Sequence, residues 1–364
     1  MSTIIIGAGQ AGLSTAYHLK RLGQECTVLD MHQRIGDSWR GHWDSLQLFT
    51  PARFNGLPGM PFPGDPWAYP GKDEMAAYLE AYAERFALPV RHGVTVDRVA
   101  ENGSGYVVNT DERRFTADNV VIASGTYGRP RLPDFAGRLD PAIRQLHSRE
   151  YRRPAQLADG AVLVVGAAHS GADIAYELAA THQTVLCGRE TGQMPVKVTT
   201  TRAARGVRMA MPMGWFVQNH VMTIGTPLGR KLKPLVRNHG GPLLRVKKAD
   251  LARAGVERVF SRLTDVADGK PMLDDGRVLD VANVVWCTGF RHDFDWVEPL
   301  TLGEDGWPRE RRGVASGAPG LYFVGLKFQY SFGSMLVGGV GTDAKYVAKQ
   351  IEARERAAAT EVAA

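Results

Sequence analysis

The hydrophobic positions of this chain fall into a pattern that occurs twice. A short unbroken apolar run enters a glycine turn, a helical period follows, and a second apolar run closes the unit. The first copy is Thr3-Ile4-Ile5-Ile6, then Gly7-Ala8-Gly9-Gln10-Ala11-Gly12, a helix-like stretch to Gly23, and a strand from Glu25 to Leu29 that ends at Asp30. The second is Ala161 to Val165, then Gly166-Ala167-Ala168-His169-Ser170-Gly171, a helical run to Ala180, and a strand from Thr184 to Cys187 that ends at Arg189. Two more apolar runs, Val120 to Tyr127 and Val284 to Phe290, each meet a glycine and supply one further strand to each unit. The pattern predicts an α/β chain with two Rossmann-like dinucleotide-binding domains.

Other periods fill the gaps. Lys72 to Ala87 carries Met75, Tyr78, Leu79, Tyr82 and Phe86 at helical spacing, so its tyrosines read as core. Val90 to Ala100, Tyr106 to Thr110 and Arg114 to Thr116 alternate and predict a small antiparallel meander. Residues 36–50, with Trp39, Trp43 and Leu48-Phe49-Thr50, read as an irregular loop. It is either packed on the surface or laid against a bound ring, and the second reading is preferred because the loop follows Asp30 directly. Prolines and glycines crowd residues 51–71 among Phe54, Leu57, Met60, Phe62, Trp67 and Tyr69, which predicts a rigid irregular lid. Near the end, Gly320 to Gly325 reads as a strand and turn, and Gly338 to Asp343 opens a helix to about Arg354, with a frayed tail from Ala357 to Ala364. Phe328, Tyr330 and Phe332 either wall a substrate space or merely pack.

The turns carry the chemistry. In G-x-G-x-x-G after a strand, the first glycine permits the turn, the second lets backbone approach a pyrophosphate, and the third lets helix and strand pack. Gly7, Gly9 and Gly12 fill these places, and Asp30 follows Gly12 by 18 residues, where an acid hydrogen-bonds a ribose hydroxyl. Arg189 follows Gly171 by the same 18. An acid there would repel a ribose 2′-phosphate, whereas a guanidinium grips one. The first site therefore reads as FAD and the second as NADPH, with a solvated strand-end arginine as the alternative for Arg189. Ala168 replaces the second glycine. His147, just before the second unit, reads as a structural brace in preference to a catalytic base.

Composition narrows the setting. The 364 residues suffice for two cores, and no run of about 18 apolar residues suggests a membrane span. The chain enters a strand almost at once, so no signal peptide is expected. Cys26, Cys187 and Cys287 are far apart and form no C-x-x-C, which predicts a cytoplasmic setting and argues against a flavin disulfide reductase. Residues 191–249 contain eleven Lys and Arg and no Asp or Glu, so this segment carries +11 against a net +6 and leaves −5 elsewhere. Its bases alternate with Met209, Met211, Met213, Trp215, Phe216 and Met222. Three readings stay open for it: a solvated face, a mobile lid over the dinucleotide, or a surface resting on anionic lipid.

Taken together, these motifs resemble the class B flavoprotein monooxygenases, the flavin-containing monooxygenase family, in a small bacterial branch. The matching pieces are Gly7 to Gly12, Gly36 to Arg40, Leu57-Pro58, Ala123 to Tyr127, His147 to Tyr151, Gly166 to Gly171, Cys287 to Phe290 and Gly320 to Gly325, in family order along almost the whole chain. The resemblance implies an FAD domain from residues 1–152 and 285–364, an NADPH domain from 153–284, and a basic insertion at 191–249. It implies FAD contacts at Gly7, Gly9, Gln10, Ala11, Gly12, Asp30, Ser38, Trp39, Arg40, Thr50, Val96, Ser124, Gly125, Gly325, Gly339 and Thr342. NADPH contacts are implied at Gly166, Ala168, His169, Ser170, Gly171, Arg189, Thr288, Gly289 and Phe290. Thr50, Gln329 and Tyr330 are the candidates for flavin- or substrate-facing catalytic residues; Thr50 is the only polar residue in the neighbourhood where animal-type members carry an asparagine. The implied cycle has NADPH reduce FAD, O2 add at flavin C4a, and the peroxide oxygenate a small organic substrate. Two alternatives are an NADPH oxidase making mainly hydrogen peroxide and a non-enzymatic flavin-binding regulatory subunit. Expected partners are O2 and the substrate, with no nucleic acid and no metal; an anionic membrane contact and a homodimer are left open.

Overall fold

The computed structural model describes residues 2–363 apart from residues 104, 127, 196–202 and 299. Tyr127, Lys197 and Arg202 therefore lie outside the described residues. In the first sheet, Thr3–Ile6 runs parallel to both its neighbours, Cys26–Leu29 and Asn119–Ile122. Leu321–Phe323 and Val90–Arg91 extend it in parallel on either side, and Val314–Ala315 and Glu310–Arg311 close one edge antiparallel. Ile5, Val28 and Val121 face the helices Gln10–Arg21, Lys72–Arg85 and Val340–Ala363. Ile4, Ile6, Val120 and Ile122 face the meander Val96–Asn102, Gly105–Thr110 and Arg114–Ala117. A strand covered on both faces must be apolar throughout, which is why these runs are unbroken. Each such isoleucine or valine contributes roughly 1.5–3 kcal/mol.

The second sheet is parallel in every pair, in the order Glu257–Val259, Thr184–Cys187, Val162–Val165, Asn283–Trp286, Arg144–His147. Val162 and Val164 pack with residues of the helix His169–Leu178, and Leu163 and Val165 pack on the other side with Leu273 of a hairpin. Arg144–His147 is thus a strand of the second unit, and a boundary at residue 152 falls too late. The return boundary at 285 cuts through Asn283–Trp286. The chain crosses between units at a two-stranded link, Arg129–Pro130 against Phe290–Arg291. Pairing across this link, not local composition, sets the boundary.

Two further differences have local causes. Val90–Arg91 joins the parallel sheet rather than the meander, because Val28 and Leu29 offer it an open edge. The final helix runs to Ala363 rather than to about Arg354, since its alanines and charged residues have high helix propensity. The helix tyrosines do more than fill the core. Tyr78 accepts the Leu57 N–H at 2.6 Å and donates to the Met60 carbonyl at 2.7 Å, and Tyr82 donates to the Pro58 carbonyl at 2.8 Å. They pin the proline-rich segment to the first domain.

Candidate functional site

Both glycine turns lie at the carboxyl ends of central strands, where open α/β sheets take their ligands. Gly7 has φ +108°, and a Cβ there would fall 2.6 Å from the Ala123 carbonyl oxygen; a Cβ on Gly12 would fall 1.8 Å from that of Gly7. Packing alone demands these two glycines. Gly9 is different, because its φ of −77° suits any residue and a Cβ there would meet nothing in the protein within 4 Å. It begins the helix Gln10–Arg21 without a side-chain cap, leaving the first N–H groups and the positive dipole end to a ligand. This arrangement fits an FAD pyrophosphate.

Asp30 closes the unit. Its carboxylate accepts the Ala8 N–H at 2.5 Å, the His32 N–H at 2.8 Å and His32 Nδ1 at 2.9 Å. Burial pushes this carboxyl up, but the bonds from His32 and Ala8 outweigh it and hold the group below the usual range. Three of about four acceptor positions are used, which leaves one for a ribose hydroxyl. Trp39 donates to the Gln10 side chain at 3.3 Å and draws the residue 36–50 loop over the turn. Ser38, Ser124, Gly125 and Thr342 are exposed, and Val96 is half-buried at the start of the meander. Gly325 lies against Ala11, where a Cβ would come within 3.0 Å of the Ala11 methyl. Arg40 pairs with Asp37 at 2.9 Å and Glu80 at 2.8 Å and braces the loop. Gly339 likewise serves packing, since a Cβ there would sit 2.0 Å from the Gly333 carbonyl oxygen.

The second turn repeats the geometry. Gly166 has φ +106°, with a Cβ 2.4 Å from the Cys287 carbonyl oxygen, and a Cβ on Gly171 would fall 1.7 Å from that of Gly166. Ala168 begins the helix His169–Leu178, again with no side-chain cap. Here, however, a strap from the insertion covers the turn. A Cβ on Gly240 would be 2.8 Å from the Ala168 methyl, and one on Gly241 would be 2.6 Å from the His169 ring. His169 Nε2 bonds the Pro242 carbonyl at 2.5 Å, and its ring centroid lies 4.7 Å from that of Phe49. Burial lowers the pKa of this imidazole, with Lys247 and Lys327 adding to the effect against the Pro242 bond. The turn and the uncapped helix start fit a second dinucleotide only with the strap displaced. Ser170 is half-buried on the same helix turn. Arg189 is exposed and has no acid partner among the described residues.

Thr288, Gly289 and Phe290 hold the inter-domain link. The Thr288 hydroxyl donates to the Arg131 carbonyl, His147 Nε2 bonds the Gly289 carbonyl at 3.0 Å, and the His147 and Phe290 rings lie 5.0 Å apart. His147 is buried, its Nδ1 accepts the Arg149 N–H at 3.2 Å, and burial lowers its pKa. It is a brace, as its position suggested.

The three catalytic candidates fare differently. Gln329 is fully buried; its amide oxygen accepts the Gly325 and Leu326 N–H groups at 3.1 and 3.3 Å, and its nitrogen donates to the Phe323 carbonyl at 2.8 Å. It shapes the loop. Thr50 donates to Asn55 Oδ1 at 2.5 Å, and Asn55 in turn donates to the Thr50 and Pro51 carbonyls. Asn55 is wholly buried and escaped the sequence reading, where the only sign of it was a single asparagine inside an apolar stretch. Tyr330 is half-buried beneath the Arg312 guanidinium, 4.0 Å from its ring. Phe328 is completely buried, so of the expected aromatic wall only Tyr330 and Phe332 keep exposed surface.

The sequence description of the pyridine nucleotide-disulphide oxidoreductases matches residues 4–202, more than half of the chain. The chain belongs to that family. Among curated relatives, the "uncharacterized oxidoreductase CzcO-like" of Geobacillus kaustophilus is 35% identical, covering 96% of this chain and 98% of its own. The rice indole-3-pyruvate monooxygenase YUCCA1 (Oryza sativa subsp. japonica) is 29% identical across 97% of this chain and 92% of its own. The solved flavin-containing monooxygenase from Stenotrophomonas maltophilia is 26% identical, with a TM-score of 0.74 over 97% of this chain and 98% of that one. The two-domain α/β architecture is that of the flavin monooxygenases, FAD- and NADP-dependent proteins.

The three cysteines of this member of the pyridine nucleotide-disulphide oxidoreductase family form no disulfide with one another. Cys26, Cys187 and Cys287 are all free, and burial pushes the thiols of Cys26 and Cys187 up to about 11 and that of Cys287 higher still. None is a thiolate at neutral pH. Its basic insertion spans both domains. The Ala203 N–H donates to the Trp67 carbonyl at 2.8 Å, Trp215 lies 5.2 Å from Phe54, and the Ile224 N–H donates to the Tyr330 carbonyl at 2.9 Å. Part of its charge is neutralised: Arg237 and Lys233 meet the buried Glu310 at 3.1 and 3.4 Å, Arg245 meets Asp173 at 3.1 Å, and Lys248 meets Glu190. The apolar side chains of the helix Arg205–Phe216 point outward at Met209, Met213 and Phe216, 77%, 67% and 52% exposed. No helix among the described residues is long and apolar enough to cross a membrane, and no group of metal-binding side chains occurs among them.

Proposed function

We propose that this protein is an NADPH-dependent flavoprotein monooxygenase acting with O2 on a small organic substrate. The carrying observation is the pair of uncapped helix starts behind glycine turns, one unit closed by Asp30 and the other by the free guanidinium of Arg189. When bound, FAD supplies the electron transfer and oxygen activation. The chain's own residues do the rest. Gly7 and Gly12 hold the first turn, Gly9 leaves room beside it, and Asp30 takes a ribose hydroxyl. Arg189 grips a 2′-phosphate that an acid would repel. The insertion acts as a lid: it joins the proline-rich segment to the Tyr330 loop and lays Gly240–Pro242 on the second turn, excluding water from the space between.

The reading is tested by anaerobic mixing with NADPH, which should bleach a bound flavin, followed by O2 with amines, sulfides, ketones and, because a relative is named for one, a 2-oxo acid. Oxygenated product should account for most of the NADPH consumed. Flavin that NADPH leaves oxidised would refute it. A second reading, an NADPH oxidase, is favoured by Thr50, whose hydroxyl is already spent on Asn55; it predicts peroxide in place of product.

A further inference from the structure

A cleft of about 440 Å³ opens on the surface of the first domain where three separate pieces of chain meet. The helix Gln10–Arg21 and its cap residue give it His18, Arg21 and Leu22, at the i, i+3, i+4 spacing that shares one face. The final helix, Val340–Ala363, gives Lys345 and Lys349, one turn apart, and the proline-rich segment gives Pro58 and Gly59. The volume falls within the range of roughly 300–1,000 Å³ usual for small-molecule sites. Arg21 stands at the far end of its helix from Gln10, about 16 Å along the axis from the end that faces the first glycine turn. The cleft is therefore no part of either dinucleotide site.

Its lining carries charge of one sign. Arg21, Lys345 and Lys349 are exposed, none has an acid partner among the described residues, and no Asp or Glu lines the cleft. Arg21 is nevertheless oriented, because its Nη1 donates to the Tyr17 hydroxyl at 3.1 Å. That hydroxyl finds room only because residue 59 is glycine: φ there is +83°, and a Cβ would fall 2.4 Å from the hydroxyl oxygen. Leu22 and Pro58, both half-buried, make an apolar wall, and Tyr82 holds the Pro58 carbonyl at 2.8 Å. Burial, helped by Lys345 and Arg21, pushes the His18 imidazole down to about 4 against a backbone bond at Gly341, so His18 adds no charge at neutral pH. Like charges one helical turn apart repel, and an anion between them turns the repulsion into attraction.

We propose that this cleft is a binding site for a small organic phosphate, with the phosphate among Arg21, Lys345 and Lys349 and the apolar body against Leu22 and Pro58. A phosphate monoester brings nearly two negative charges and three acceptor oxygens at neutral pH. A guanidinium takes two of those oxygens as a fork, and the ammonium groups act on the remainder as point charges. Once bound, the ligand ties the proline-rich segment to both helices, and the folded state gains stability by mass action. The assignment does not depend on which dinucleotide either glycine turn takes.

The test is calorimetric titration of the FAD-loaded protein with phenyl phosphate, in excess NADP+ so that the second turn is not the receiver. One equivalent should bind and raise the melting temperature. Inorganic phosphate, which lacks the apolar body, and benzyl alcohol, which lacks the charge, should each bind at least about tenfold more weakly. Lys345→Ala and Lys349→Ala should each weaken phenyl phosphate about ten- to a hundredfold, the loss of one charge-assisted bond. Both positions are exposed, so the melting temperature without phenyl phosphate should stay that of wild type, and Lys349→Arg should keep most of the affinity. Wild-type protein that takes up no phenyl phosphate overturns the assignment. So does binding that both alanine variants retain, or binding that inorganic phosphate matches, which would leave only a patch that attracts any anion.

Discussion

Gly9 and Gly12 lie three residues apart in one turn, yet valine at each should fail for opposite reasons. At Gly9 a Cβ meets nothing within 4 Å and φ is −77°. Gly9→Val should therefore leave the FAD-stripped protein within about 1 kcal/mol of wild type. Its side chain would fill the space beside the helix start and displace the pyrophosphate from at least one charge-assisted N–H bond. Such a bond contributes roughly 1.5–3 kcal/mol, or about ten- to a hundredfold in FAD affinity. At Gly12 the Cβ would lie 1.8 Å from the Gly7 carbonyl oxygen, and the clash exists with or without ligand. Gly12→Val should cost at least about 1–3 kcal/mol through overpacking and lower the melting temperature of the stripped protein by roughly 2–10 °C. Thermal melts of stripped protein and FAD titration by flavin fluorescence separate the two effects. A Gly9→Val protein that binds FAD like wild type, or melts as early as Gly12→Val, would refute the reasoning.

Other perturbations follow from single contacts. Arg189→Ala should raise KM for NADPH about ten- to a hundredfold while leaving NADH nearly unchanged; equal losses would return Arg189 to the role of a solvated strand end. If the insertion is a lid, rising salt should slow flavin reduction by NADPH, and Arg205→Glu, at an exposed position, should deepen the defect; Arg202, its expected companion, lies outside the described residues. Co-sedimentation with anionic but not neutral liposomes would instead give the outward Met209, Met213 and Phe216 to a membrane surface. Glu310→Gln removes the counter-charge of Arg237, whose side chain is 6% exposed, and should cost about 3–5 kcal/mol in denaturant unfolding. Burial pushes the Asp343 carboxyl from 3.8 up to about 7, against the pull of Ser334 and Arg312. Because the folded state holds this proton more tightly than the unfolded one, stability from this group should fall as pH rises from about 4 to about 7, and Asp343→Asn should flatten that slope.

The sequence carried the repeated unit well, because its signals are local. Unbroken strands, glycines at fixed offsets and the terminal Asp30 and Arg189 all act within about thirty residues. What the sequence did not show was long-range. Gln329 read as a candidate beside the flavin, but its amide is consumed by backbone groups whose positions depend on the sheet. Asn55 was invisible because its value lies in a bond to Thr50 that only the folded loop creates. The +11 of the insertion left a solvated face, a lid and a lipid-facing surface all open, because its pairing with Glu310, far away in sequence, and with Asp173 appears only in the fold. Arg144–His147 changed domain because strand pairing, not composition, decides which sheet a short strand enters.

The strap at Gly240–Pro242 makes the two similar turns unequal in time. At Gly9 of the first turn a Cβ would meet nothing within 4 Å, so on the proposed reading its dinucleotide needs no strap displaced and is a resident. The second must be uncovered at every arrival, which weakens apparent affinity by the fraction of molecules that are open. On the proposed function its dinucleotide is a visitor, exchanged once per turnover. Two turns descended from one pattern thus divide the labour of a prosthetic group and a cosubstrate, and the division is written in a pair of glycines some seventy residues beyond the turn they cover.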